Sequence, residues 1–278
     1  MSNLTFTPGK AVDPANATRN GTWRMAAYRF RNLGKWWAPL IAFGLGNPVM
    51  NLLAFGVGMG ALVDKNTGGH GIAGVSYLQF VAPALLASAA IQGIVDEVTG
   101  PVLDGFVWDK SFFAFAATSL NEKQIANGLM IVAIFRGMFT SGFYGAVMVL
   151  FGAIPISSFL PLFVVGVCSS VAWAALVFSV TSRLDSSNNV FDVLNRFIMV
   201  PMFLFSGTFY PLNLAPVYLQ WIGWLLPLWH ASDLGRAITI GSPLPTWLLL
   251  VHIAYFAIMF VVGMGLTYPV FKKRLYQS

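Results

Sequence analysis

Apolar residues run along this chain in blocks of twenty or more, and polar residues fall between the blocks. A bilayer crossing needs about 20 consecutive apolar residues. On that measure the pattern predicts six spans, at about 37–62, 75–95, 125–151, 158–180, 190–209 and 246–270. Residues 1–21 are polar, rich in Asn, Thr, Ala and Pro, and read as a disordered tail with no secretory signal.

Residues 22–37 follow a different period. At about 100° per residue, Trp23, Ala26, Ala27, Phe30, Leu33, Gly34 and Trp37 share one face, while Arg24, Arg31 and Lys35 lie off it. An apolar stripe beside a basic stripe is the pattern of a helix lying in the membrane surface, its cations toward headgroups.

Two further segments fit neither span nor loop. Residues 96–124 mix Asp96, Glu97, Asp104, Asp109, Lys110, Glu122 and Lys123 with Phe106, Trp108, Phe112, Phe113 and Phe115. That is too polar to cross and too apolar for a free linker, and predicts a short helix pressed against a protein partner. Residues 210–245 are apolar, but Pro211, Pro216, Pro227, Pro243 and Pro245 break them. They predict two short helices that dip into the outer leaflet without crossing, which backbone tolerates where protein encloses it or a cavity lies beside it.

Composition agrees. The chain is 57% hydrophobic and 9% charged, against about 25% charged in soluble domains, so lipid is its solvent. The net charge of +6 comes from cations that flank the apolar blocks, which fits anionic headgroups and makes nucleic acid an unexpected partner. Lys10, Arg19, Arg24, Arg29, Arg31, Lys35, Lys110, Lys123, Arg183, Lys272, Lys273 and Arg274 fall on one side of the six predicted spans, Lys65 and Arg236 on the other. The positive-inside rule then puts both termini in the cytoplasm.

Candidate chemistry is sparse. There is no G-x-x-x-x-G-K-[ST] phosphate loop, and Cys168, His70, His230 and His252 have no ligand-like spacing. No catalytic, cofactor or metal site is expected. Arg136 interrupts the third span and is read either as a contact to an anionic headgroup or neighbouring carboxylate, or as a snorkelling or structurally paired arginine near a helix end. Asp192 with Arg196, and Asp233 with Arg236, have the spacing of helical ion pairs, the second pair with a possible lining role beside His230. His252 is expected to be an interhelical hydrogen-bonder. With no carboxylate at mid-span, an ion-coupled transporter lacks its usual parts. A transporter driven by another chain, a passive channel and a membrane scaffold stay open.

The run Pro201-Met-Phe-Leu-Phe-Ser-Gly-Thr-Phe-Tyr-Pro211 resembles the fifth-span signature of ABC-2 type exporter permeases, the group of nodulation-factor, polysaccharide and drug-efflux membrane subunits. Residues Leu219 to Arg236 resemble the family's following segment, with Trp229 where a small polar residue is common. Trp108-Asp-Lys-Ser-Phe112 and Ala117-Thr-Ser-Leu120 resemble its cytoplasmic run, with Ser119 in place of the usual proline, and Arg136 falls where an arginine is frequent.

The resemblance implies an all-α integral membrane protein of six transmembrane helices. It adds an N-terminal interfacial helix and outer-leaflet re-entrant helices between spans five and six. It also implies a second permease chain, identical or related, and separate ATPase subunits that bind ATP and Mg. On that analogy Asp104, Trp108, Asp109, Lys110, Phe112 and Phe113 would meet the ATPase.

Overall fold

The computed structural model describes residues 19–36, 46, 49–69, 71–185 and 194–277. The polar tail, His70, Asp192 and the first part of the span expected at 37–62 lie outside them. The regular structure of the described residues is helical, apart from a single isolated bridge between Ile72 and Val75. In chain order the helices are α1, Gly21–Leu33; α2, a wide π stretch Leu52–Met59 running into Gly60–Asn66; α3, Tyr77–Leu103, extended by a π stretch Asp104–Trp108; and α4, Ser111–Ala116. Then come α5, Glu122–Leu150; α6, Ile156–Thr181; α7, a π stretch Leu194–Met199 running into Val200–Phe205; α8, Val217–Trp224; α9, Pro227–Ile240; and α10, Thr246–Tyr276.

Among the described residues, α3 with its extension, α5, α6 and α10 are long and apolar enough to cross a membrane. The shortest, α6, has 26 residues, about 39 Å at 1.5 Å per residue, against a hydrocarbon core of about 30 Å. The spans expected at 37–62 and 190–209 appear as the shorter, π-wound α2 and α7, each preceded by residues outside the description. The segment 210–245 forms two short helices, α8 and α9, as its prolines predict. Pro216 caps α8, Pro227 opens α9, and α9 ends at Gly241, whose φ of 67° is the left-handed conformation that glycine adopts freely.

The largest departure from the expected boundaries is at the second span, while α10 also runs past residue 270 to Tyr276 and α1 ends early at Leu33. The second span does not stop at Val95. Its helix continues through Asp96 and Glu97 to Trp108, so the first half of the 96–124 segment belongs to α3. Those carboxylates mark a loop only if they stay unpaired, and they do not.

The most enclosed crossing helix is α3, which packs against α2, α5, α6 and α9, while α10 is the least enclosed and leans on α6. Two apolar clusters divide along it. One gathers Leu52, Phe80, Leu85, Leu86, Met148 and Leu162. The other gathers Met25, Ile94, Val98, Phe106, Phe112, Leu129, Phe178 and Phe271. The α6–α10 contact depends on Gly263, because a Cβ there would fall on the α6 backbone at Ala175 and Leu176. Backbone cannot swing aside as a side chain can. Gly263→Leu is therefore expected to lower stability by about 1–3 kcal/mol, read as a lower unfolding midpoint in detergent, whereas Gly265→Leu, with open space around it, should leave the midpoint in place.

Candidate functional site

Helix α1 has three faces. Gly21, Met25 and Ala26 are buried against α5, where Gly128 admits the Met25 side chain and the Thr22 carbonyl. Trp23 is 64% exposed and with Phe30 forms an outward apolar strip, Phe30 meeting Phe135 of α5 edge-on at 5.1 Å. Arg24 and Arg31 are exposed on the remaining face, and Lys35, in the short helical turn Gly34–Trp36 that follows, is exposed as well. The single apolar face expected from the sequence is thus split, with Ala26 turned to protein and Trp23 turned away.

Arg29 projects from the packed side of α1 and closes a charge cluster. Its Nε lies 2.6 Å from Glu97 Oε1, and Arg136 Nη1 of α5 lies 3.1 Å from Glu97 Oε2. Arg136 Nη2 reaches Asp96 Oδ2 at 3.4 Å. Glu97 is 1% exposed, and each of its oxygens holds one guanidinium. Two cations and two anions cancel here, which lets a carboxylate stay inside α3. Arg136 is therefore paired with a neighbouring helix, one of the alternatives its position allowed.

The segment after α3 is a braced knob. The Asp104 carbonyl accepts from Asp109 N–H at 2.8 Å and Lys110 N–H at 3.2 Å, and Lys110 takes a left-handed φ of 53°. That sharp turn points Trp108, 51% exposed, outward with Asp109 and Lys110. Phe112, expected to face a partner, does not. It is buried against Phe106 and Phe271, in a place where Gly105 leaves room for its ring. Phe113 is half-buried, 6.2 Å from Phe106. Local polarity around Phe112 gave no sign of Phe271, which arrives from the far end of the chain. Arg274 adds a second brace, its guanidinium 4.2 Å over Phe106 while it donates to the carbonyls of Ser182 and Leu184. Tyr28 and Phe115, edge-on at 4.9 Å, join α1 to α4.

At the other candidate position, Asp233 and Arg236 do not pair with each other. Asp233 Oδ2 lies 3.1 Å from His252 Nε2, and His252 Nδ1 lies 2.7 Å from His230 Nδ1. Arg236, 6% exposed, donates to the carbonyls of Phe80, Gly207 and Thr208 and sits 3.8 Å over the Phe80 ring. One helix face offered the pairing, but carbonyls on α3 and on the turn after α7, and an imidazole on α10, gave each charge a better partner. His252 bridges α9 and α10 as expected. Arg196 is exposed. Among the described residues no three His, Cys, Asp or Glu side chains are placed to hold a metal. Glu97, Arg29, Phe271 and Arg274 are the residues that sequence reasoning did not single out. An acidic residue falling where an apolar helix ends, with arginines in two other predicted helices, is the signal available for Glu97.

Residues 22–240 match the family model described as ABC-2 type transporter. The chain is 28% identical to Nodulation protein J of Rhizobium leguminosarum bv. viciae over 254 residues, covering 90% of this chain and 94% of that protein. To Nodulation protein J of Rhizobium meliloti (strain 1021) it is 27% identical over 268 residues, covering 95% and 97%. To the inner membrane transport permease YadH of Escherichia coli (strain K12) it is 22% identical over 210 residues, covering 74% and 76%. With most of its length under the family model, and with the apolar helices that such a membrane protein requires, the chain belongs to the ABC-2 type transporter family.

Proposed function

We propose that this chain is the membrane-spanning permease of an ATP-driven exporter in a bacterial plasma membrane. It would cross six times with both termini in the cytoplasm, and α8 and α9 would dip into the outer leaflet. ATP and Mg would be bound by a separate ATPase subunit that hydrolyses the ATP, and a second permease chain would complete the path. The cargo is amphiphilic (a lipid-linked glycan, a lipid or a hydrophobic drug), in keeping with a chain rich in Phe and Met.

One observation carries this reading. Trp108, Asp109 and Lys110 stand out from the bundle on a turn whose base is fastened three ways. Phe112 ties it to α10 through Phe271, Phe115 ties it to α1 through Tyr28, and α3 carries it directly. A push on this knob reaches α1, α3 and α10 together, as a subunit driven from outside requires. Within α1 the push meets Arg29, which holds Glu97 of α3, so surface helix and bundle move as one.

The test is co-purification with the ATPase followed by reconstitution in vesicles. Trp108→Ala is expected to weaken the complex on the order of tenfold or more, as truncating an exposed aromatic anchor does, with transport falling alongside. Phe112→Ala is expected to reduce stability by about 3–5 kcal/mol before it affects docking. Transport by the purified chain with no companion present, or full coupling in the Trp108 variant, would overturn the reading.

A further inference from the structure

The hydrogen bonds that tie α8 and α9 to α10 can be counted hydrogen by hydrogen. His230 Nε2 lies 2.9 Å from the Trp224 carbonyl, His230 Nδ1 lies 2.7 Å from His252 Nδ1, and His252 Nε2 lies 3.1 Å from Asp233 Oδ2. A carbonyl only accepts, and so does an ionised carboxylate, whereas a neutral imidazole brings one N–H and one lone pair. Three hydrogen bonds in a line that ends in two acceptors need three hydrogens. Two neutral histidines supply two. The third is one additional proton, on His230, on His252 or on Asp233. With it the three side chains sum to zero charge, which suits a place where both imidazoles are buried.

We infer that His230, His252 and Asp233 form a one-proton latch that fastens α8 and α9 to α10 and opens on either side of a window of pH. Above the window the proton leaves, two lone pairs face each other and one of the three bonds is lost. Below it a second proton on the imidazole pair sets hydrogen against hydrogen across the 2.7 Å gap. The surroundings hold the latch in register. The Tyr255 ring of α10 stacks on His230 at 3.8 Å while its hydroxyl donates to the Leu225 carbonyl, and Trp229 lies edge-on to both imidazoles. The other groups with electrostatic reach are Arg236 on α9 and, through it, Tyr77 on α3. Helices α6 and α8 carry no acidic or basic residue. The count holds whichever side of the membrane this end of the bundle faces.

The test uses the whole chain in lipid nanodiscs, in a His70→Gln background so that two imidazoles are observed. Amide exchange of residues 217–240, corrected for intrinsic chemistry, is followed from about pH 4 to about pH 9, a range that brackets imidazole titration. Exchange is expected to be slowest in mid-range and on the order of tenfold faster at each end, the effect of losing one charge-assisted hydrogen bond. Asp233→Asn places an amide N–H against His252 and supplies the third hydrogen without a proton, so the alkaline rise disappears and the acid rise remains. Imidazole nitrogen spectra of the unsubstituted cluster show one proton shared between His230 and His252 through the window. An alkaline rise that survives Asp233→Asn would overturn the latch. If that variant does not fold, two imidazoles that titrate independently in the parent chain do the same.

Discussion

Replacing Glu97 with alanine is expected to destabilise the folded chain by about 3–5 kcal/mol, the usual cost of removing one partner from a buried ionic cluster. The magnitude follows from what is left behind. Arg29 and Arg136 converge on the two oxygens of one carboxylate that is itself 1% exposed. Without it two guanidinium groups face each other from α1 and α5, and Asp96, 68% exposed at its side chain and 3.4 Å from Arg136, is too hydrated to replace it. The position of α1 should report the loss first, since Arg29 is its charged anchor to α3. Fluorescence of Trp23 and proteolysis near Arg24 are expected to change before the helices of the bundle lose protection. Converting Arg29, Glu97 and Arg136 together to methionine separates two accounts. If the cluster exists to hold the fold, the apolar triple variant should recover most of the stability. If it exists to transmit motion from α1, stability should return while coupled transport stays low. An unfolding free energy for Glu97→Ala within about 0.5 kcal/mol of the parent, the range of an ordinary surface substitution, would remove the cluster from both roles.

The same cluster shows where sequence reading reaches its limit. The long crossing helices were legible because each is a run of apolar residues that must satisfy its backbone internally, and hydropathy reports that directly. The exposed positions of α1 were legible from the period of Trp23, Arg24 and Arg31, but the side it turns to α5 was not. Met25 and Ala26 look no different from lipid-facing residues until Gly128 is brought opposite them. Glu97 read as the start of a polar loop because a carboxylate normally ends an apolar span, and its two arginines lie 68 and 39 residues away in the chain. Phe112 read as a partner contact because its neighbours are charged, and the ring that buries it belongs to Phe271. Periodicity reports which face is apolar. It does not report which protein or lipid covers that face.

Arg236→Met is expected to cost about 3–5 kcal/mol, and the reason is the number of acceptors that lose their donor. Arg236 Nη2 donates to the Gly207 carbonyl at 2.7 Å and the Thr208 carbonyl at 3.1 Å, and its Nε donates to the Phe80 carbonyl at 3.2 Å. Each orphaned buried acceptor costs about 1–3 kcal/mol. The turn that supplies two of them is already short of partners, for the Ser206 and Thr208 hydroxyls are buried without one among the described residues. It also turns on Gly207 at a φ of 67°, so it has little freedom to turn its carbonyls elsewhere. A second effect opposes the first. The guanidinium is buried with no carboxylate in contact among the described residues, and removing it relieves a desolvation cost. Lysine decides which effect wins. Arg236→Lys keeps the charge and its burial but replaces a planar fork with a single point, which cannot serve carbonyls on two separate segments. If unmet carbonyls dominate, the lysine variant should lie between the parent and the methionine variant, with part of the 3.8 Å contact over Phe80 retained. If desolvation dominates, methionine should be the more stable of the two. The first order is expected, because one arginine here answers three acceptors from α3 and from the turn after α7. A methionine variant as stable as the parent would mean that water reaches this turn, and that the segment from Pro201 to Pro211 is held against α3 by its apolar side chains alone.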